Sequence, residues 1–304
     1  MCLYRISILV FVIAALFAAT AEAQETPYIQ RENIVYGEAH GVGLVMDIFI
    51  PHGDKNGLGI VDVISGAWHS DRGKIRDHTR AQTFHILCRK GYTVFAIRPG
   101  SITKFGAPEM LANLNQGIRW AKDHAKDHGI DPDRLGLMGA SAGGHLACLA
   151  AVTAQDEKPE AENTGANAGT RVKAVAVFFP PTDFLNYGGN AIDARAEDRM
   201  GQLLRKLAFP QGLNQATADE VTQKVTQISP ARLVTPGAPP FLLIHGDADP
   251  VVPLQQSEVM LAALKNAGVP AELMVKKGGG HPWLTLHEEV QVVADWFDKQ
   301  LATR

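Results

Sequence analysis

The chain has 304 residues, of which 46% are hydrophobic and 20% charged, with three cysteines and a formal net charge of −3. That length accommodates one large α/β domain or two small ones around a substantial core. The charge balance supplies neither the basic field that nucleic acid requires nor an acidic tail, so nucleic acid is excluded and a neutral or small-molecule partner is expected.

At the N-terminus, Arg5 precedes the apolar run Ile6 to Ala19, and Ala21-Glu22-Ala23 then has the small-x-small spacing of a leader cleavage site. Residues 1–23 are read as a signal peptide, giving a secreted or periplasmic mature chain that starts at Gln24. The run is shorter than the roughly 20 apolar residues of a spanning helix, and no membrane contact is expected after cleavage. Cleavage also removes Cys2. Cys88 and Cys148 remain, each on the apolar face of a predicted helix, and are expected to be buried, unbridged thiols.

Residues 24–304 read as a single domain. After an extended lead-in to Glu32, Asn33 to Gly37 and Leu44 to Ile50 form two antiparallel strands around His40-Gly-Val-Gly43, closed by Pro51. A continuous apolar strand, Gly59 to Ile64, runs into Ser65-Gly-Ala-Trp-His69. Asp77 to Lys90 carries Ala81, Phe84, Leu87 and Cys88 on one stripe and predicts one amphipathic helix, stopped by Gly91. Tyr92 to Ile97 is the next strand. Pro108 to Gly129 predicts one long helix, with Leu111, Leu114, Ile118, Ala121 and Ala125 inward and Lys122, Asp123, Lys126 and Asp127 solvated.

Leu135 to Met138 then reads as a buried strand and Leu146 to Val152 as an apolar helix. Gln155 to Thr170 is polar and reads as a surface loop; Val172 to Phe179 is a buried strand ending in Pro180-Pro181. Between Thr182 and Ser229 helical pieces at Ala194 to Leu207 and Ala216 to Val225 interrupt an irregular segment, placed to cover a site as a small cap. Strand Phe241 to Ile244, helix Leu254 to Asn266, strand Glu272 to Lys276 and helix Leu286 to Leu301 complete the chain. Strands alternating with helices argue for an α/β fold with a mostly parallel sheet covered on both faces.

Gly139-Ala-Ser-Ala-Gly143 places a G-x-S-x-G pattern at one strand-to-helix junction, where a tight turn presents Ser141 and small neighbours avoid collisions. A serine hydroxyl is a poor nucleophile until a base takes its proton, and the base needs a group to orient it. In an open parallel sheet such groups gather beyond the carboxyl ends of strands. His281 qualifies as base, in Gly278-Gly-Gly-His-Pro-Trp283. Asp249 qualifies as acid, in His245-Gly-Asp-Ala-Asp-Pro250, with Asp247 as the alternative. The order Ser141, Asp249, His281 is the one expected of an α/β-hydrolase triad. An oxyanion would be held by the Ala142 N–H at the helix start and by the loop Gly66, Ala67, Trp68. His145 and His245 are assigned to local hydrogen bonding and His287 to the surface. His69, His124 and His128 lack a metal-ligand spacing, and the last two are expected to be exposed; no metal or cofactor is expected.

On Gly139-Ala-Ser-Ala-Gly-Gly-His145, Ser229-Pro-Ala-Arg232, Pro239-Pro-Phe-Leu-Leu-Ile-His-Gly-Asp-Ala-Asp-Pro-Val-Val-Pro253 and Gly280-His281, the chain from about Ile34 onward resembles the α/β-hydrolase superfamily. Within it the chain is similar to the prolyl-oligopeptidase-related esterases that include bacterial carbohydrate acetyl and feruloyl esterases. The resemblance implies Ser141, Asp249 and His281 as the triad, with Asp249 in place of Asp247, and a small-molecule or oligosaccharide ester as substrate. Two positions depart from the pattern. Ile64-Ser-Gly-Ala-Trp68 stands where such enzymes carry His-Gly-Gly-(Gly/Ala)-Trp, and Asn113 stands where an aspartate is frequent. The expectation is a serine esterase acting on short acyl groups. A prolyl-oligopeptidase-like peptidase is disfavoured because only about 33 residues precede the catalytic fold, and a non-catalytic binding protein because the triad is intact.

Overall fold

The computed structural model describes residues 26–156, 169–213 and 215–302. The expected signal peptide, and most of the loop expected between Gln155 and Thr170, lie outside the described residues. The chain enters as a hairpin, β1 (Tyr28–Ala39) and β2 (Val42–Pro51), turning through left-handed His40 and Gly41. Both strands are longer than predicted, because the tight turn at 40–41 lets pairing continue to its edge and Tyr28 already pairs with Pro51.

Strand β2 pairs antiparallel with β4 (Thr93–Arg98). All later pairings, through β3 (Gly59–Val63), β5 (Leu135–Ala140), β6 (Ala174–Phe178), β7 (Phe241–Gly246) and β8 (Ala271–Lys276), are parallel. Among the described residues the strands form one eight-stranded sheet in the order β1-β2-β4-β3-β5-β6-β7-β8. After β3 the chain moves outward to β4 and then returns past β3 to β5. The connections leaving β3 and β5 therefore diverge to opposite sides, and a crevice opens at the carboxyl ends of this pair, where Val63 sits beside Gly139.

Both faces of the sheet are covered, which is why β3, β6 and β7 are buried along their whole length. Val61, Val63, Leu137, Val177 and Leu243 pack on one face under α3 (Ala107–Asp123), α5 (Ala142–Val152) and α8 (Gln255–Asn266). Ile60, Met138, Ala176, Leu242 and Ile244 pack on the other under α1 (Arg72–Arg80), α2 (Thr83–Arg89) and α9 (Leu286–Ala302). Cys88 belongs to the second layer and Cys148 to the first, so the sheet separates the two buried thiols.

Two expected helices are broken. The single helix expected from Asp77 to Lys90 is instead α1 and α2, joined through Gln82 in a left-handed conformation (φ 58°). The predicted stripe of Phe84, Leu87 and Cys88 belongs to α2. Helix α1 starts earlier, where the Asp71 carboxylate caps the Gly73 N–H, and is held to the sheet by Ile75 and by a bond from His78 to Asp62. The long helix expected to Gly129 is interrupted at His124: α3 stops at Asp123 and α4 (Ala125–His128) follows. His128 packs against Phe95 and Trp120, where it is buried and not exposed as expected; burial also lowers its pKa. Beyond β6, α6 (Arg199–Ala208) is capped by Asp198 and α7 (Ala218–Gln227) by the reciprocal Thr217–Glu220 pair. Helix α6 packs on α3, and α7 on the short turn at 230–232.

The β5–α5 junction depends on missing side chains. A Cβ on Gly139 would lie 2.5 Å from the Gly143 carbonyl carbon, and one on Gly143 would collide with the Val63 carbonyl oxygen. Backbone on all sides leaves nothing able to yield. Gly143→Ala is therefore expected to lower stability by about 1–3 kcal/mol, as overpacking does; a chemical denaturation midpoint equal to that of the wild type would show that the junction relaxes.

Candidate active site

At this junction Ser141 adopts φ 53° and ψ −120°, a conformation that costs a non-glycine residue about 1–3 kcal/mol. Flanking hydrogen bonds hold it there. The Ser141 N–H donates to Phe178 O at 2.9 Å, the His145 N–H to Ser141 O at 2.9 Å and the Gly143 N–H to Ser65 O at 3.0 Å. The hydroxyl consequently stands clear of the sheet, 2.9 Å from Nε2 of His281.

His281 follows β8, its ring 4.4 Å from that of Phe179 and its Nδ1 2.6 Å from Oδ2 of Asp249. Asp249 follows β7, with its side chain fully buried. Burial alone would raise its pKa. Hydrogen bonds from His245, His281 and the Val252 and Val251 N–H groups outweigh burial and hold the carboxyl well below the usual carboxylate range. Asp247, the alternative acid, instead accepts the Gly278 N–H at 2.6 Å and so shapes the glycine loop before His281. A Cβ on Gly246 would lie 2.2 Å from the Gly279 carbonyl oxygen, so the two loops pass too closely for a side chain at 246. The three candidate side chains therefore form one continuous relay.

The loop after β3 is a two-residue turn closed by reciprocal Gly66–His69 backbone bonds of 2.9 Å, with Ala67 at φ 47° and Trp68 at φ 58°. One expected donor is corrected by this geometry: the Gly66 N–H is committed to His69 O. The Ala67, Trp68 and Ala142 N–H groups donate to no other atom among the described residues. A buried link that sequence reading assigned only to local bonding steadies the turn. The Trp68 indole N–H donates to Nδ1 of His145 at 3.0 Å, and His145 Nε2–H donates to Ile228 O at 2.7 Å. Because tryptophan can only donate, this network fixes the neutral Nε2–H tautomer. Burial, partly offset by the bond to Ile228, pushes the His145 pKa down to about 4. His245 is likewise buried between Ser257 and Val252, and the Asn113 amide donates to Pro99 O, a structural role as expected.

Ser141 and His281 open into a cavity of about 1050 Å³. Phe179, Phe184, Tyr187, Leu203 and Trp283 give it apolar walls, and Lys74, His78 and Arg80 a polar one. His287 also lines it, half-buried, in place of the surface role expected, since the first turn of α9 abuts the loop carrying His281. The Asp62–His78 pair was missed; its signal was a carboxylate inside an otherwise apolar strand. Among the described residues no helix is long and apolar enough to cross a membrane.

Sheet order, the serine turn and the relay at the strand ends define an α/β-hydrolase fold. The chain belongs to the BD-FAE family, whose profile matches residues 46–264. It is 30% identical over 241 residues to the probable carboxylic ester hydrolase LipM of Mycobacterium tuberculosis, covering 78% of this chain and 52% of that protein. It thus spans about half the length of the curated relatives it matches. Among solved structures, a truncated carbohydrate esterase from gut microbiota is 25% identical with a TM-score of 0.76, covering 92% of this chain and 99% of that one. Est2, an esterase of Thermogutta terrifontis, is 23% identical with a TM-score of 0.65 over 88% and 91% of the two chains, and shares the fold.

The His145 shift has a measurable consequence. Between the unfolded value near 6.5 and the folded value of about 4, the unfolded chain binds a proton that the folded chain does not, so stability falls as the pH drops through this window, by at most roughly 3 kcal/mol. His145→Gln, which cannot titrate, is expected to flatten the dependence of Tm on pH between 6.5 and 4. An unchanged slope would assign the acid lability to other groups.

Proposed function

We propose that this chain is a secreted serine esterase that hydrolyses short-chain carboxylic esters of carbohydrates, acetyl or feruloyl, through an acyl-enzyme. The observation that carries the reading is the unbroken hydrogen-bond relay from Ser141 through His281 to Asp249 at the wall of the cavity. The ester hydrolases among its relatives, and a carbohydrate esterase of matching fold and extent, support it.

In this mechanism Ser141 Oγ attacks the ester carbonyl carbon while its proton passes to Nε2 of His281. Asp249, held as a carboxylate, accepts the Nδ1–H bond, fixes the ring orientation and stabilises the imidazolium. The Ala142 N–H and the Ala67 N–H receive the oxyanion, with Trp68 as a further donor; each such bond contributes roughly 3 to 4 kcal/mol to the transition state. Collapse expels the alcohol, which takes the proton from Nε2. Water then attacks the acyl-serine, delivering a proton to Nε2 that returns to Oγ as the acid departs. Residues 182–229, carrying α6 and α7, act as a small cap: Met200 and Leu203 of α6 form part of the cavity wall. Cysteine chemistry has no part in this scheme, since burial pushes the Cys88 thiol up to about 12 and raises that of Cys148 further.

The wild type is expected to cleave p-nitrophenyl acetate and butyrate and to cleave long-chain esters poorly. In the same assay Ser141→Ala is expected to lose at least about 10⁴-fold in kcat, and Asp249→Asn about 10⁴-fold, as in other triads where the wrong tautomer results. Cleavage of a prolyl anilide and no ester would replace the esterase reading with a peptidase. N-terminal sequencing of exported protein is expected to begin at Gln24; an intact leader on the mature chain would remove the secreted assignment.

A further inference from the structure

The cavity wall built by the turn after β3 and by α1 carries charge that ester hydrolysis does not use. Lys74, Asp77, His78 and Arg80 line one side and Arg199 of α6 adds to the lining, so three full cations face one carboxylate in a chain whose net charge is −3. Asp77 is divided between Lys74 at 3.5 Å and Arg80 at 3.2 Å and cannot neutralise both. Arg199 has no ion-pair partner among the described residues.

Two of these groups are held in place by their neighbours. A Cβ on Gly66 would lie 2.7 Å from Cδ and 3.2 Å from Nζ of Lys74, so the Lys74 side chain crosses the turn that carries the Ala67 and Trp68 N–H groups. His78 Nδ1 lies 2.6 Å from Oδ2 of Asp62, whose side chain is wholly buried and whose other oxygen has no partner. A carboxylate beside an imidazole favours the protonated form of the ring. Burial alone would lower the His78 pKa, but attraction to Asp62 and the bond between them outweigh it and hold the imidazole above its ordinary value. The His78 side chain retains 13% exposure and lines the cavity, with Nε2 unpartnered among the described residues.

Anchoring α1 to the sheet accounts for part of this arrangement. An apolar pair of similar volume would do that without desolvating a carboxylate, and anchoring does not explain why the imidazole opens onto the cavity that Lys74 also lines. We infer that this wall is an anion-recognition subsite, and that the esters cleaved at Ser141 carry a carboxylate on their sugar, as uronic acids do. This inference rests on the esterase reading above.

The test compares kcat/KM for acetate esters of methyl glucoside, methyl glucuronide and methyl glucoside 6-sulfate in the wild type, in Lys74→Gln and in the double variant Asp62→Asn/His78→Gln, which leaves no buried charge unpaired. The glucuronide ester is expected to exceed the neutral ester by about tenfold or more, with the ratio falling as salt is added and dropping at least about threefold in each variant. Cleavage of the neutral ester with a ratio near one, or a ratio unmoved by Lys74→Gln, overturns the subsite and leaves the esterase reading standing. Preference for the sulfated ester overturns the carboxylate assignment. If none of the three is cleaved while p-nitrophenyl acetate is, the sugar-ester substrate fails; if that too resists, the esterase reading fails with it.

Discussion

The left-handed backbone of Ser141 is the constraint on which the rest of the site depends. A β-branched or bulky neighbour would not survive there, because Gly139 and Gly143 already touch backbone and not yielding side chains. The strain is supported from three directions: the end of β6 through Phe178 O, the turn after β3 through Ser65 O, and the first turn of α5 through His145 N. Since two of these supports belong to the sheet and to a helix packed on it, and the third to the turn that follows a central strand, the fold itself holds the Ser141 hydroxyl in place.

The same junction borders the loop after β3, whose sequence departs from the pattern of the enzymes the chain resembles. The usual first glycine is replaced by Ser65 and the usual histidine by Ile64, which is fully buried among the apolar residues under α1 and α2. What sets the loop is the Gly66–His69 closure below it and the Trp68–His145 bond behind it. His145 is neutral, buried and tied to Ile228 at the end of α7, so the turn, the serine helix and the segment over the cavity share one hydrogen-bonded chain.

Charge is distributed unevenly around this centre. The carboxylate behind His281 is fully buried and accepts hydrogen bonds from His281 and from the Val251 and Val252 N–H groups, with His245 3.5 Å away. Asp62 is just as deeply buried, yet it has a single partner and an orphaned oxygen. Two Asp–His pairs of different character thus flank one cavity, one directed at the serine and the other opening beside Lys74.

Much of this organisation was legible in the chain itself. Alternating strand and helix patterns, the glycines around Ser141 and the placement of Asp249 and His281 after strands are local signals, because strand burial, tight turns and helix caps are dictated by near neighbours. Residues separated by long stretches of sequence were a different matter. The break at Gln82, the burial of His128, the pairing of Trp68 with His145 and that of His78 with Asp62 all arise where helices must meet a twisted sheet, and no spacing along the chain encodes which side chains then face each other. The sequence by itself determined the fold class and the three candidate reacting groups; tertiary structure alone decided which N–H groups near Ser141 stay unpaired and which charges line the cavity, because both depend on what packing leaves free.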